Sequence, residues 1–247
     1  MKTIGIIPAR YASTRLPAKP LARIGNKVMI QWVYEQCLKS HSLAEVWVAT
    51  DDERIFKAVE DFGGRVVMTA STHESGTARC AEAVEKMATN AQIVVNIQGD
   101  EPFINPVQID QLVACFQKDT TQIATLIKVI KEEDTLWDTN KPKVVVNQQQ
   151  QALYFSRQTI PYLRGIDKND WLAHHTFYKH VGIYGFRKSI LQDLIPLTPS
   201  PLETVEKLEQ LRWLAHGYTI QTATTTLESL SVDTQEDLEL ARRMVIT

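Results

Sequence analysis

The chain has 247 residues, 44% of them hydrophobic and 23% charged, the make-up of an ordinary globular protein with enough apolar material for a sizeable core. A formal net charge of −2 gives no reason to expect nucleic acid or an anionic membrane as partner, so any anion binding must come from local clusters of Arg and Lys. Cys37, Cys80 and Cys115 include no CxxC pair and fit core thiols in a reducing compartment rather than a disulfide framework. The N-terminus runs straight into a strand-like segment and no apolar stretch reaches membrane-span length, so a cytoplasmic location is expected.

Ile4 to Ile7 is a short β-branched run that predicts a buried parallel strand. It breaks at Pro8 into a loop carrying Arg10, Arg15 and Lys19, with Pro17 and Pro20 as punctuation. Cations on one loop repel each other unless an anion sits among them. A buried strand ending in such a loop is where open α/β sheets bind phosphates, although a solvated basic loop gives the same pattern. No GxGxxG follows this strand and GxxxxGK[ST] is absent, which argues against a standard NAD fold and a P-loop NTPase.

Further along, periodicity predicts a helix over 28–39, a strand over 45–50, and a helix over 53–62 closed by Gly63 and Gly64. A strand over 65–68, a helix over 77–87, a strand over 93–98, a helix over 106–117 with Pro106 in its first turn, and a strand over 123–130 follow. This alternation predicts a mainly parallel sheet with right-handed crossovers. Segments 143–146 and 152–156 read as a hairpin, 162–177 as loop, and 180–186 as a strand. One helix over 202–216, a strand over 220–223 and a closing helix over 235–244 complete the chain. Residues 1–247 therefore read as one α/β domain with a β-rich insertion around 140–190.

Three further blocks bear chemistry. Gln98-Gly99-Asp100-Glu101-Pro102 ends a predicted central strand, and an Asp there can hold Mg2+, which takes one or two carboxylates and completes its shell with water and phosphates. Asp233, just before the closing helix, offers a second carboxylate, with helix capping as the plainer reading. In His73 to Arg79, Gly76 permits close backbone approach and Thr77 opens a helix whose N–H groups point outward. A distributed set follows: Arg157 could clamp a carboxylate bidentately, and His180, Tyr184, Glu206, Glu209 and Gln210 could meet the hydroxyls of a polyol. Individually, each also fits a core position or an exposed helix face.

The opening loop resembles the signature of the sugar-nucleotide cytidylyltransferases, PAR-x-x-S-x-R-x-P-x-K-P-L, at Pro8-Ala9-Arg10, Ser13, Arg15, Pro17 and Lys19-Pro20-Leu21. It departs at Ala18, where the family usually has Gly; Ala restricts φ, so the loop is expected to avoid positive φ there. The blocks Ser156 to Pro161, His180 to Phe186 and Pro199 to Arg212 add the order seen in CMP-Kdo synthetases, the 3-deoxy-manno-octulosonate cytidylyltransferases. With HESGTAR, QGDEP and VDT the resemblance covers nearly the whole chain.

The resemblance implies a three-layer, Rossmann-like nucleotidyltransferase fold. It implies transfer of CMP from CTP to the anomeric 2-hydroxyl of 3-deoxy-D-manno-octulosonate (Kdo), with release of pyrophosphate, for lipopolysaccharide assembly. By that resemblance Ala9, Arg10, Arg15, Lys19, Ser75, Arg79 and Gln98 bind CTP, and Asp100 and Asp233 hold Mg2+. Arg10, Lys19, Asp100 and Asp233 form the catalytic set, and Arg157, His180, Tyr184, Glu206, Glu209 and Gln210 bind Kdo. A homodimer through the β-rich insertion is expected. The rival readings are a cytidylyltransferase for 8-amino-Kdo or sialic acid, and a catalytically silent nucleotide-sugar binding module.

Overall fold

A computed structural model describes residues 1–12 and 16–246. Arg15 and Ser13 of the opening motif lie outside these described residues.

β1 (Thr3–Ala9) is buried along almost its whole length and forms the middle of the sheet. After it come a 3-10 turn at Lys19–Leu21, the small ribbon β2 (Arg23–Ile24) and β3 (Lys27–Val28), and α1 (Met29–Cys37). Next are β4 (Glu45–Thr50), α2 (Glu53–Asp61), β5 (Val66–Met68), α3 (Gly76–Lys86), β6 (Ile93–Asn96) and α4 (Pro106–Ala114). The second half holds β7 (Ile123–Val129), α5 (Glu133–Trp137), β8 (Lys143–Val146), β9 (Ala152–Ser156), α6 (Trp171–His174) and β10 (Tyr178–Arg187). It ends with α7 (Lys188–Leu194), α8 (Pro201–Glu206), α9 (Gln210–Ala215), β11 (Ile220–Thr224) and α10 (Gln235–Ile246).

The main sheet runs β11-β7-β10-β6-β1-β4-β5. β1 is parallel to β4 and β6, β4 to β5, and β11 to β7, whereas β10 runs antiparallel between β6 and β7. Alternation along β1 explains the layers. Ile4 and Ile6 face a core shared with Val84 of α3, Leu191 of α7 and Trp213 of α9, while Ile7 and Ala9 face one shared with Val33 of α1, Ile55 of α2 and Leu112 of α4. Helices cover both faces, as a largely parallel sheet requires. Cys37 and Cys80 are free and buried in these cores.

A third cluster positions the site. Leu16, Ile24, Met29, Val232, Leu238 and Ala241 pack together, so the opening loop is pinned against the C-terminal segment. Burying each large apolar side chain is worth roughly 1.5–3 kcal/mol, enough to hold two segments from opposite ends of the chain in register.

Several sequence expectations are revised. The single helix over 202–216 is two helices, because Lys207 adopts left-handed φ 54° and ends α8. Arg212 of α9 reaches back to Glu203 of α8 with Nε at 2.7 Å and Nη2 at 2.6 Å, fixing the bend. Within 162–177, read as loop, a 3-10 turn at Lys168–Asp170 leads into α6, and Trp171 packs there with Leu136 and Phe177. Ala18 takes φ 57°, against the expectation that it would avoid positive φ: it is the left-handed residue that starts the Lys19–Leu21 turn. The hairpin is found at its expected bounds, with β8 paired to β9 and joined to the main sheet through β10.

Candidate active site

The carboxyl ends of β1, β4 and β6 open on one edge of the sheet, and the first cleft lies there, with a volume of about 300 Å3. Pro8, Ala9, Arg10, Lys19 and Pro20 form one wall, His73 to Gly76 and Arg79 another, and Gln98 to Asp100 with Asp233 the floor. Two glycines let these walls meet. A Cβ at Gly99 would lie 3.0 Å from the Pro8 carbonyl oxygen, and one at Gly76 would lie 3.2 Å from the Pro8 ring.

Lys19 sits at the junction of the walls. Its Nζ donates to Asp100 Oδ2 at 2.6 Å and to Asp233 Oδ1 at 2.9 Å. Burial pushes the ammonium pKa down, but the Asp100 and Asp233 charges and hydrogen bonds outweigh it, so the net shift is upward. The two expected carboxylates therefore converge on one cation from positions 133 residues apart in the chain. The capping reading of Asp233 falls to its neighbours: Thr234 Oγ1 accepts from Asp237 N–H at 3.2 Å, and the Asp237 carboxylate accepts from the Asp233 and Thr234 N–H groups. Val232 N–H donates to Asp100 O at 2.8 Å, which ties the two carboxylate segments together through the backbone.

On the second wall, Ser75 caps α3 by accepting from Ala78 N–H at 3.1 Å. Arg79 lines the cleft, but its guanidinium is buried and engaged: Nη2 donates to Asp51 at 2.9 Å and Nη1 to Thr69 Oγ1 at 2.7 Å. It braces the end of β4 against α3. Gln98 Nε2 donates to Gly182 O at 2.7 Å, which orients its amide between the first cleft and a second.

The second cleft, about 460 Å3, is lined by Gln98, Asp100, Glu101, His180, Gly182, Tyr184, Lys207 to Gln210, Ser231 and Asp233. Its deep end is polar but underpartnered: the Tyr184 hydroxyl and Gln210 Nε2 are buried without a hydrogen-bond partner. Burial, aided by the Glu209 charge, holds the Tyr184 phenol well above its usual range, so it remains a donor. Burial also pushes the Glu209 carboxyl upward, against the Thr77 and Ser75 hydroxyls that lower it. His180 is held down at about 4 by burial and is a neutral imidazole at physiological pH, with Nε2 3.0 Å from Thr125 Oγ1. The break after α8 places Glu209 and Gln210 at this cleft, where a continuous helix would have carried them around its axis.

Arg157 and Glu206 line neither cleft. Arg157 Nε donates to Glu206 O at 2.7 Å and its Nη1 to Thr139 O at 3.1 Å, while the Glu206 carboxylate accepts from Ser156 Oγ and Arg157 N–H. This cluster anchors β9 to the end of α8. Sequence reasoning did not assign Lys207, Ser231, His73 or Glu74 to a cleft, and it gave Glu101 no set role. Glu101 is half-buried, accepts from Ser229 Oγ, and is pushed up to about 7 by burial. Its only sequence signal was adjacency to Asp100.

The donor set can be tested against a divalent cation. Asp100 and Asp233 supply hard carboxylate oxygens already drawn around one positive charge. Among the described residues no group of three or more His, Cys, Asp or Glu could hold a metal by itself. Two carboxylates facing an open cleft suit Mg2+, which leaves most of its shell to water and substrate phosphates.

The chain is similar to several known proteins. A family model described as Cytidylyltransferase matches residues 4–243. A relative from Cytophaga hutchinsonii, named 3-deoxy-manno-octulosonate cytidylyltransferase, is 55% identical over 95% of this chain and 94% of its own. One of the same name from Bacteroides thetaiotaomicron is 52% identical over 99% of this chain and 98% of its own. A solved structure of CMP:2-keto-3-deoxy-manno-octonic acid synthetase complexed with CTP superposes with TM-score 0.92 at 42% identity, covering 100% of this chain and 99% of that one.

Proposed function

The chain belongs to the cytidylyltransferase family, and from that premise we propose that it transfers CMP from CTP to the anomeric 2-hydroxyl of Kdo, releasing pyrophosphate. The observation that carries this reading is that the two clefts share Gln98, Asp100 and Asp233. A nucleotide in the first and an acidic sugar in the second would meet at the carboxylate pair.

The hydroxyl oxygen attacks the α-phosphorus, a new phosphorus–oxygen bond forms, the α–β bridge breaks, and its electron pair leaves with pyrophosphate. The hydroxyl proton is released to water. Such a transfer needs positioning and charge stabilisation more than covalent help. Arg10 and Lys19 on the loop after β1 balance the triphosphate charge, with Arg15 assigned to the same task from sequence. Ser75, Gln98 and the backbone around Gly76 hold the base and ribose, while Arg79 fixes the wall behind them. Asp100 and Asp233 would hold a divalent cation, read as Mg2+, which would supply Lewis acidity at the phosphate oxygens.

On the sugar side, Tyr184 and Gln210 offer buried donors without partners in the protein, Glu209 an acceptor, and His180 a neutral ring. A polyol presents the matching groups at each position. Arg157 and Glu206 support this wall through β9 and α8. A homodimer belongs to the same reading, with exposed Leu153 on β9 and Val205 on α8 toward the contact, at 60% and 76% exposure. Sedimentation tests it.

The deciding experiment offers four nucleoside triphosphates with Kdo, 8-amino-Kdo or sialic acid and measures pyrophosphate. CTP with Kdo should stand well above all other pairs. Equal turnover with sialic acid, or none with any pair, overturns the assignment.

A further inference from the structure

We propose that Lys19 is a displaceable counter-ion: its ammonium occupies the seat of the divalent cation, and must leave it before that cation can bind, so cation and triphosphate bind cooperatively. The inference rests on the reading of Asp100 and Asp233 as the metal-binding pair.

Lys19 Nζ lies 2.6 Å from Asp100 Oδ2 and 2.9 Å from Asp233 Oδ1, and its side chain is only 16% exposed. Without a cation, two carboxylates this close repel each other. Lys19 offsets that repulsion by bonding to both. A divalent cation held by these two carboxylates would need the space that the ammonium fills. Ammonium and metal cannot share that space, and their charges repel. Metal binding to the protein alone must therefore break both ion pairs and expel a cation that stays tethered nearby.

The triphosphate changes this balance. The 3-10 turn and buried Pro20 hold the Lys19 backbone in place, and rotation of the side chain is enough to move the ammonium. Arg10, Pro8 and Lys19 line one cleft, and phosphates entering it offer the ammonium a second anionic seat. Lys19 then moves from carboxylates to phosphates as the metal takes the carboxylates. By linkage, the nucleotide tightens the metal as much as the metal tightens the nucleotide.

The test measures Mn2+ binding by electron paramagnetic resonance and calorimetry, without turnover, in wild type and in Lys19→Gln and Lys19→Met. Both variants should bind Mn2+ in the absence of nucleotide about tenfold or more tightly than wild type, ~1.4 kcal/mol. Mn2+ should raise their thermal midpoint more than that of wild type, and the gain in Mn2+ affinity on adding CTP should shrink. Arg10→Gln removes an equal charge from the same cleft and should leave nucleotide-free Mn2+ affinity within about twofold, ~0.4 kcal/mol. Wild-type affinity in both Lys19 variants, or an equal gain in Arg10→Gln, overturns the counter-ion role. Asp100→Asn and Asp233→Asn separate this from the underlying reading. If both leave Mn2+ binding with CTP unchanged, the metal site itself is wrong; if both abolish it while the Lys19 variants behave as wild type, only the counter-ion role fails.

Discussion

Thr77 Oγ1 donates to Glu209 Oε2 at 2.8 Å across 132 residues of sequence. The bond joins the helix beside the first cleft to the segment that lines the second, and it satisfies a carboxyl group whose pKa burial raises. Thr77→Val keeps the shape of the side chain and removes the donor. Hydrogen bonds to charged groups contribute about 1.5–3 kcal/mol, so urea unfolding should show a loss in that range. The KM for the sugar should rise more than the KM for CTP, because Glu209 loses its anchor on the sugar side. Equal changes in the two KM values would argue that the bond only holds the fold.

The left-handed conformation of Ala18 yields a second expectation. A Cβ in this region costs about 1–2 kcal/mol, while the added flexibility of Gly in the unfolded chain costs roughly 0.5–1 kcal/mol. Ala18→Gly should therefore stabilise the protein by up to ~1 kcal/mol, read as a higher urea midpoint at unchanged slope. A lower midpoint would mean that neighbouring contacts relieve the strain at φ 57°.

Some of this architecture was legible in the residues and some was not, for identifiable reasons. The β8–β9 hairpin follows from two apolar runs and the turn between them, so its bounds could be read locally; β1 was legible as a strand, but it runs from Thr3 to Ala9, past the break expected at Pro8, because backbone pairing with β4 carries it through the proline. The antiparallel insertion of β10 between β6 and β7 depends on pairing across distant segments, which βα alternation does not encode. The break between α8 and α9 was hidden because Leu208 and Leu211 continue a helical rhythm through Lys207, a non-Gly residue with no sequence mark of its φ 54°. Charge made the opening loop conspicuous. It could not reveal that Lys19 turns to two aspartates, since those contacts span 81 and 214 residues.

Arg157 shows the same limit from the other side, because an Arg that reads a substrate carboxylate and one that holds backbone carbonyls look alike in sequence. Here its donors go to Glu206 O and Thr139 O, an arrangement that fastens β9 to the end of α8. Arg157→Ala should lower stability by about 0.5–1.5 kcal/mol, mainly through loss of the part-buried bond to Glu206 O, since water can replace the exposed bond to Thr139 O. The KM for the sugar should stay within a few-fold of wild type at a temperature where the variant is folded. A loss of sugar affinity of 100-fold with stability unchanged would instead place the guanidinium on the substrate.

His180 and Glu101 make opposed predictions for pH. Burial holds His180 at about 4, whereas an unfolded His titrates near 6.5, so between these values the unfolded chain binds a proton that the folded one does not. Its contribution to stability is thus lost as pH falls from about 6.5 to 4, at up to ~1.4 kcal/mol per pH unit. Glu101 is pushed up to about 7 by burial, from 4.5, so the folded state binds the extra proton and stability rises as pH falls through 7 to 4.5. In the wild type the two slopes oppose one another over most of this window. His180→Gln removes the first, and urea unfolding should show stability rising from pH 7 to 4.5. Glu101→Gln removes the second, and stability should fall more steeply than in wild type from pH 6.5 to 4. The variants should therefore diverge in opposite directions from the wild-type profile, and profiles that superpose on it would show that neither side chain is desolvated as the packing around Thr125 and Ser229 requires.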